Sequence, residues 1–169
     1  MKVMEKEIFD LVDENDIVIG SADREDFHGD PRMIHRVAHV LIFDSSGELY
    51  LQKRSIKKDV QPGKWDTSVG GHVNSGESYE EAAYRELKEE LGIEGTVIEF
   101  LYRYLHKNDY ESEFVSTYRC FWNGAIDIEK DEIDDGRFWS LKAISEADPR
   151  KFTPNFLDEL ERYEKLAGR

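Results

Sequence analysis

The chain reads as a mixed α/β domain, and three observations predict that class. Short runs of strand-like, apolar-alternating sequence recur along it. A strongly periodic helix with both ends signalled lies among them, and a second amphipathic helix comes last. At 169 residues the length suits one domain, and no repeat, low-complexity tract or linker divides it. Residues 1–169 are therefore expected to form a single domain, with a hairpin at about 5–20 as an N-terminal extension packed on it.

The elements follow in order. Glu7 to Val12 and Ile17 to Gly20 flank Asp13-Glu14-Asn15-Asp16, which predicts a hairpin. Residues 21–33 are polar, carry Gly29 and Pro31, and read as loop. Val37 to Phe43 is a strand, Asp44-Ser45-Ser46-Gly47 its turn, and Leu49 to Lys53 the returning strand. Residues 59–72 hold Pro62 and three glycines, a loop interrupted by a short strand near Asp66 to Val69. Ser78 to Leu91 is a helix. Ser78 and Glu81 form a capping box, in which the hydroxyl accepts from the Glu81 amide and Glu81 reaches back to the Ser78 amide. Gly92 ends it at the position that favours a left-handed residue. Tyr79, Ala83, Leu87 and Leu91 make its buried stripe. Strands follow at 95–105, 112–122 and 136–140, then helices at 141–147 and 153–167.

Composition excludes several function classes. Nine Phe, eight Tyr and three Trp supply too many large apolar groups for a disordered acidic chain. A net charge of −14 opposes a nucleic-acid polymer or an anionic membrane as partner. No window approaches a membrane span, and Met1 to Glu7 lacks an apolar signal core. One cysteine, Cys120, excludes an internal disulfide and suits a reducing cytoplasm, so a cytoplasmic location is expected.

Chemistry concentrates on the capped helix. Glu86, Glu89 and Glu90 lie within one turn and fan across about 100° of its circumference. Carboxylates so close repel one another, and a hard divalent ion with oxygen ligands, Mg²⁺ or Mn²⁺, is the natural neutraliser. The alternative is a solvated acidic face. Upstream, Gly70-Gly71-His72-Val73-Asn74-Ser75-Gly76-Glu77 feeds the helix, and its glycines let backbone approach a ligand closely.

Together, Gly71, Glu77, Arg85-Glu86-Leu87, Glu89-Glu90 and Gly92-Ile93 match every fixed position of the Nudix box across 23 residues. The sequence thus resembles the Nudix hydrolases. The resemblance implies an α/β/α sandwich around a mixed sheet and hydrolysis of a nucleoside diphosphate linked to another moiety. It also implies a metal held by the Gly71 carbonyl, Glu86, Glu89 and Glu90. Glu86 and Glu89, with Arg85 and Glu77 in support, are the implied catalytic set. Arg85 would orient Glu77 and Glu89 through charge-assisted hydrogen bonds. The expected partner is a small diphosphate-containing substrate, and a homodimer is in keeping with many relatives.

A second resemblance covers more of the chain. His35-Arg36-Val37-Ala38, Gly47-Glu48-Leu49, Gln52-Lys53-Arg54-Ser55 and Pro62-Gly63-Lys64-Trp65-Asp66 are similar to the Nudix branch containing the metal-dependent isopentenyl-diphosphate isomerase. On that resemblance His28, His35, His72, Glu111 and Glu113 match a histidine- and glutamate-rich site for Mn²⁺ or Zn²⁺, and Arg54 and Lys58 match contacts to the substrate diphosphate. The position of the isomerase's catalytic cysteine is Gly70 here, and glycine cannot move a proton at an allylic carbon. The box carboxylates at Glu86 and Glu89, which the isomerase does not keep in full, are intact. The sequence therefore favours a hydrolase, with an isomerase-like enzyme or a noncatalytic diphosphate-binding module as alternatives. Asp127 to Asp135 holds six acids in nine positions, read as a solvated loop from which Glu132 or Asp134 could reach a site.

Overall fold

The computed structural model describes residues 5–169. Residues 1–4, part of the Met1 to Glu7 stretch read above for a signal core, lie outside the described residues. The protein is α/β, with a mixed sheet and helices packed around it. Its residues cluster into two compact units.

The first unit comprises the described residues up to His39, with Gly70–Glu86 and Glu99–Tyr118. The predicted hairpin is present as β1 (Ile8–Val12) and β2 (Val18–Asp23), paired antiparallel from Ile8↔Asp23 to Val12↔Val18. Asp16 turns it with a left-handed φ of 62°. The turn is held by the Asp13 carboxylate, which accepts from the amides of Asn15 and Ile17. Residues 21–33 are not all loop: β2 runs through Asp23, and α1 (Arg24–Phe27) follows, ordered because the Phe27 ring is fully buried. β3 (Ile34–Phe43) starts earlier than expected, since Ile34 pairs with Val12 of β1.

The second unit comprises Val40–Val69, Leu87–Ile98 and Arg119–Arg169. Here β3 returns through Phe43↔Leu49 into β4 (Leu49–Arg54). The single strand expected near 66–69 is two strands, β5 (Trp65–Asp66) and β6 (Val69–His72). β5 pairs with β4 and β6 with β3, so the chain changes partner at Thr67-Ser68. Ser68 secures the change: its hydroxyl accepts from the Ile42 amide and donates to the Tyr50 carbonyl.

The box helix, α2 (Tyr79–Leu91), carries residues of both units, as do β3, β6 and β8. Its predicted cap is formed. The Glu81 amide donates to Ser78 Oγ at 3.1 Å, and the Ser78 amide donates to Glu81 Oε2 at 2.8 Å. Gly92 takes a φ of 64°, and Tyr79, Ala83, Leu87 and Leu91 are all buried. β7 (Glu99–Lys107) pairs with β8 (Ser112–Phe121). β9 (Ile133–Trp139) begins three residues before the expected strand, and pairs with β4 from Leu49↔Trp139 to Arg54↔Ile133. Asp134 and Asp135 are therefore strand residues, a correction to the solvated-loop reading. Burial of Ile133 and pairing to β4 outweigh the low strand propensity of the two aspartates. α3 (Leu141–Glu146) is capped by Ser140. α4 (Pro154–Leu166) is capped by Thr153 with Pro154 at its first position, where proline costs no hydrogen bond.

Candidate functional site

The glycine loop and the first half of α2 form one ion-paired assembly in the first unit. The Arg85 guanidinium grips Glu77 through two bonds, Nε to Oε1 at 2.8 Å and Nη2 to Oε2 at 3.0 Å. It also donates Nη1 to Glu86 Oε1 at 2.7 Å and Nη2 to the His72 carbonyl at 2.9 Å. A planar fork is suited to this task, since it fixes two carboxylates and a loop carbonyl at once. Burial would raise the Glu77 carboxyl, yet Arg85 and the Asn74 amide hold it below the usual carboxylate range. The Glu86 carboxyl lies directly on Gly71, where a Cβ would overlap it. That close approach explains the glycine.

Glu86, Glu89 and Glu90 all lie on α2. Glu86 and Glu90 are four residues apart and so neighbours on one helix face. In the second unit, Gln52 orients Glu90: its Nε2 donates to Ser68 O at 3.1 Å and to Glu90 Oε2 at 3.3 Å. No motif position marks Gln52 as a site residue. The available signal was a buried amide in the otherwise apolar Leu49-Tyr50-Leu51 run, because a buried polar group needs partners. The acidic segment also serves this helix end, its Asp127 and Glu129 amides donating to the Leu91 and Glu90 carbonyls.

The five residues of the expected second metal site come together within the first unit. One nitrogen each from His28, His35 and His72 lie within 4.8 Å of one another, and ligand atoms of His35, Glu111 and Glu113 do the same. His35 belongs to both trios. Its ring is fully buried, and neither nitrogen has a hydrogen-bond partner among the described residues, although Nε2 lies 3.3 Å from Glu113. Burial pushes His72 down to about 3 and lowers His28 as well, so both imidazoles are neutral near pH 7. Burial would raise Glu113, but His35 and His72 beside it hold it below its ordinary value. Burial and the neighbouring Glu113 charge push Glu111 up to about 7.

Neutral imidazoles with free lone pairs and two crowded carboxylates are the ligand-ready state of a transition-metal site. The donor set therefore fits a divalent ion, and Gly71 beside Glu86 fits one at the box. The N-terminal hairpin supplies support that the motifs did not reveal. The Phe9 ring stacks on His72 at 4.7 Å, and Asp10 accepts from the Ser75 hydroxyl and the Gly76 amide.

The expected phosphate clamp is occupied by acids of its own unit. Arg54 donates to the Val60 carbonyl and faces Asp66 at 3.4 Å, and Lys58 pairs with Glu132. Asp134 accepts from the Ile56 amide. Glu132 and Asp134 thus hold the basic turn in place.

Comparison with known proteins identifies the family. The NUDIX domain model matches residues 33–160. A Nudix hydrolase of Pseudomonas aeruginosa is 33% identical over 158 residues, covering 93% of each chain. An isopentenyl-diphosphate Delta-isomerase of Photorhabdus laumondii is 37% identical over 141 residues, covering 80% of this chain and 78% of that one. The crystal structure of DR0079 from Deinococcus radiodurans superposes with a TM-score of 0.78 at 27% identity, covering 92% of this chain and 98% of that one. With the family match spanning most of the chain and all nine box positions present on a loop and helix built to hold them, this protein belongs to the Nudix family.

Proposed function

We propose that the protein is a metal-dependent Nudix pyrophosphohydrolase that cleaves the diphosphate linkage of a small nucleoside diphosphate-X type compound, with residues 1–169 acting as one Nudix domain. The single observation that carries this reading is the intact box, with Arg85 locking Glu77 and Glu86 against the Gly71 loop. Nudix enzymes generally use divalent metal ions. Here the Gly71 carbonyl, Glu86, Glu89 and Glu90 would hold Mg²⁺ or Mn²⁺. Such an ion polarises phosphoryl oxygens and lowers the pKa of water.

The chain's own groups do the rest. Arg85 aims the Glu86 carboxylate, and Gln52 does the same for Glu90. Glu89 accepts the proton of the attacking water. The water oxygen bonds to phosphorus as the bridging P–O bond breaks, and the bridging oxygen leaves with its phosphate. Arg54 and Lys58 bind phosphate oxygens by exchanging Asp66 and Glu132 for substrate. His28, His35, His72, Glu111 and Glu113 would hold a second, transition-metal ion.

That histidine- and glutamate-rich site favours a second reading, an isopentenyl-diphosphate isomerase-like enzyme. Gly70 weighs against it, because it offers no group to transfer a proton. The test is a metal-supplemented screen over nucleotide sugars, dinucleotides, nucleoside triphosphates and isoprenoid diphosphates. Phosphate release from one of these, lowered by orders of magnitude in Glu90→Gln with the fold intact, is the expected result. Full activity in that variant would remove the box metal from the reaction. Conversion of isopentenyl diphosphate to its dimethylallyl isomer would establish the second reading. Binding without turnover across the panel would identify a noncatalytic module.

A further inference from the structure

The turn that joins β6 to α2 has little packing to hold it. Ser75 and Gly76 are exposed, and Gly76 takes a left-handed φ of 78°. Segments with few buried contacts open readily, so hydrogen bonds set where this one lies. Its position matters because the next residue is Glu77, which Arg85 grips with two bonds while also holding Glu86. β1 reaches the turn from the hairpin, which precedes residues 33–160, the span matched by the NUDIX domain model. Phe9 bridges antiparallel to Asn74, and the Ser75 amide donates to the Ile8 carbonyl at 2.9 Å. Both oxygens of the Asp10 carboxylate then engage the turn: Oδ1 accepts from Ser75 Oγ at 2.7 Å, and Oδ2 from the Gly76 amide at 3.2 Å. Consecutive side chains on a strand point to opposite faces. Phe9, fully buried, anchors the strand on its own face, with its ring 4.7 Å from His72 and 6.0 Å from Phe27. The strand thereby fixes an exposed turn to a packed element, the arrangement that holds a site most precisely.

We infer that Asp10 is a positioning residue for the box: by holding Ser75 and Gly76 it sets where Glu77 meets Arg85, and through Arg85 the aim of Glu86 toward a divalent ion. The inference rests on the reading of the box as a metal site. Asp10 acts through the turn rather than on the ion, and two hydrogen bonds, not its charge, carry the effect. That distinction makes the amide a telling replacement. In Asp10→Asn the side-chain oxygen still accepts from the Gly76 amide, while the new NH₂ group donates to Ser75 Oγ, a hydroxyl that can accept as well as donate.

The experiment is calorimetric titration of the full chain with Mg²⁺ alone, an ion that prefers the oxygen ligands of the box to imidazoles. Beside it run Asp10→Ala, Asp10→Asn, Ser75→Ala and Glu90→Gln, each checked for folding by far-UV circular dichroism. Asp10→Ala is expected to weaken Mg²⁺ binding by about tenfold, the lower end of the range for groups that orient metal ligands. Asp10→Asn is expected to bind close to the unaltered affinity. Ser75→Ala removes one of the two arms, and its loss is expected in the same direction and smaller. Glu90→Gln reports on the metal site itself. Unchanged affinity in that variant, or no Mg²⁺ binding by the unaltered chain, overturns the metal reading and this inference with it. Weakened binding in Glu90→Gln beside full affinity in Asp10→Ala overturns the inference alone. So does Asp10→Asn binding as weakly as Asp10→Ala, which would make charge the cause. Should Asp10→Ala fail to fold, Ser75→Ala decides, and full affinity there overturns the inference.

Discussion

At the scale of single residues, the site depends on close approaches that tolerate no extra atom. Gly71 shows this directly, since an added Cβ would occupy the space of the Glu86 carboxyl. Gly71→Ala must therefore push that carboxylate aside. A displacement of about 1 Å at a reacting centre costs on the order of 100-fold in rate. We expect kcat to fall by about that factor while thermal melting changes little, measured by phosphate release and circular dichroism. The box motif named Gly71, but the reason for the glycine is a tertiary contact. Gln52 is the converse case. It matches no box position, and only folding β4 beside Ser68 and Glu90 reveals its role.

At the scale of elements, α2 is the segment whose structure was most fully legible. Its cap, stop signal and buried stripe are all local or periodic features, and the structure contains each of them. Ser78→Ala removes one arm of the capping box and is expected to lower stability by about 1 kcal/mol, read from the urea midpoint. The strands were less legible at their ends. Ile34 joins β3 because Val12 lies opposite, and Asp134 and Asp135 join β9 because β4 lies opposite. Such partners are distant in sequence, and no local pattern near residue 34 or 134 announces them. The paired strands 65–66 and 69–72 could not be separated from one short run for the same reason, since the switch at Thr67-Ser68 is a change of neighbour.

At the scale of the whole molecule, net acidity becomes a set of local arrangements. Residues 77–94 hold seven acids and two bases, and 125–136 hold six acids and one base. Many of these acids have structural work, as Glu77 has with Arg85 and Glu132 has with Lys58. Acid pH should expose that dependence. Glu77 has a folded pKa held below its unfolded value near 4.5, so its contribution to stability is full above that value and is lost as pH falls through the folded one. Urea midpoints should therefore decline below about pH 4.5, and part of the decline should be missing in Glu77→Gln.

By itself the sequence determined the α/β class, the capped helix, the box and its family, because these rest on local pattern and fixed spacing. Tertiary structure decided how strands end, that Arg54 and Lys58 already have acidic partners, and that His35 belongs to two close trios, one with His28 and His72 and one with Glu111 and Glu113. Those outcomes depend on segments far apart in the chain arriving side by side, and such meetings are settled by packing and burial.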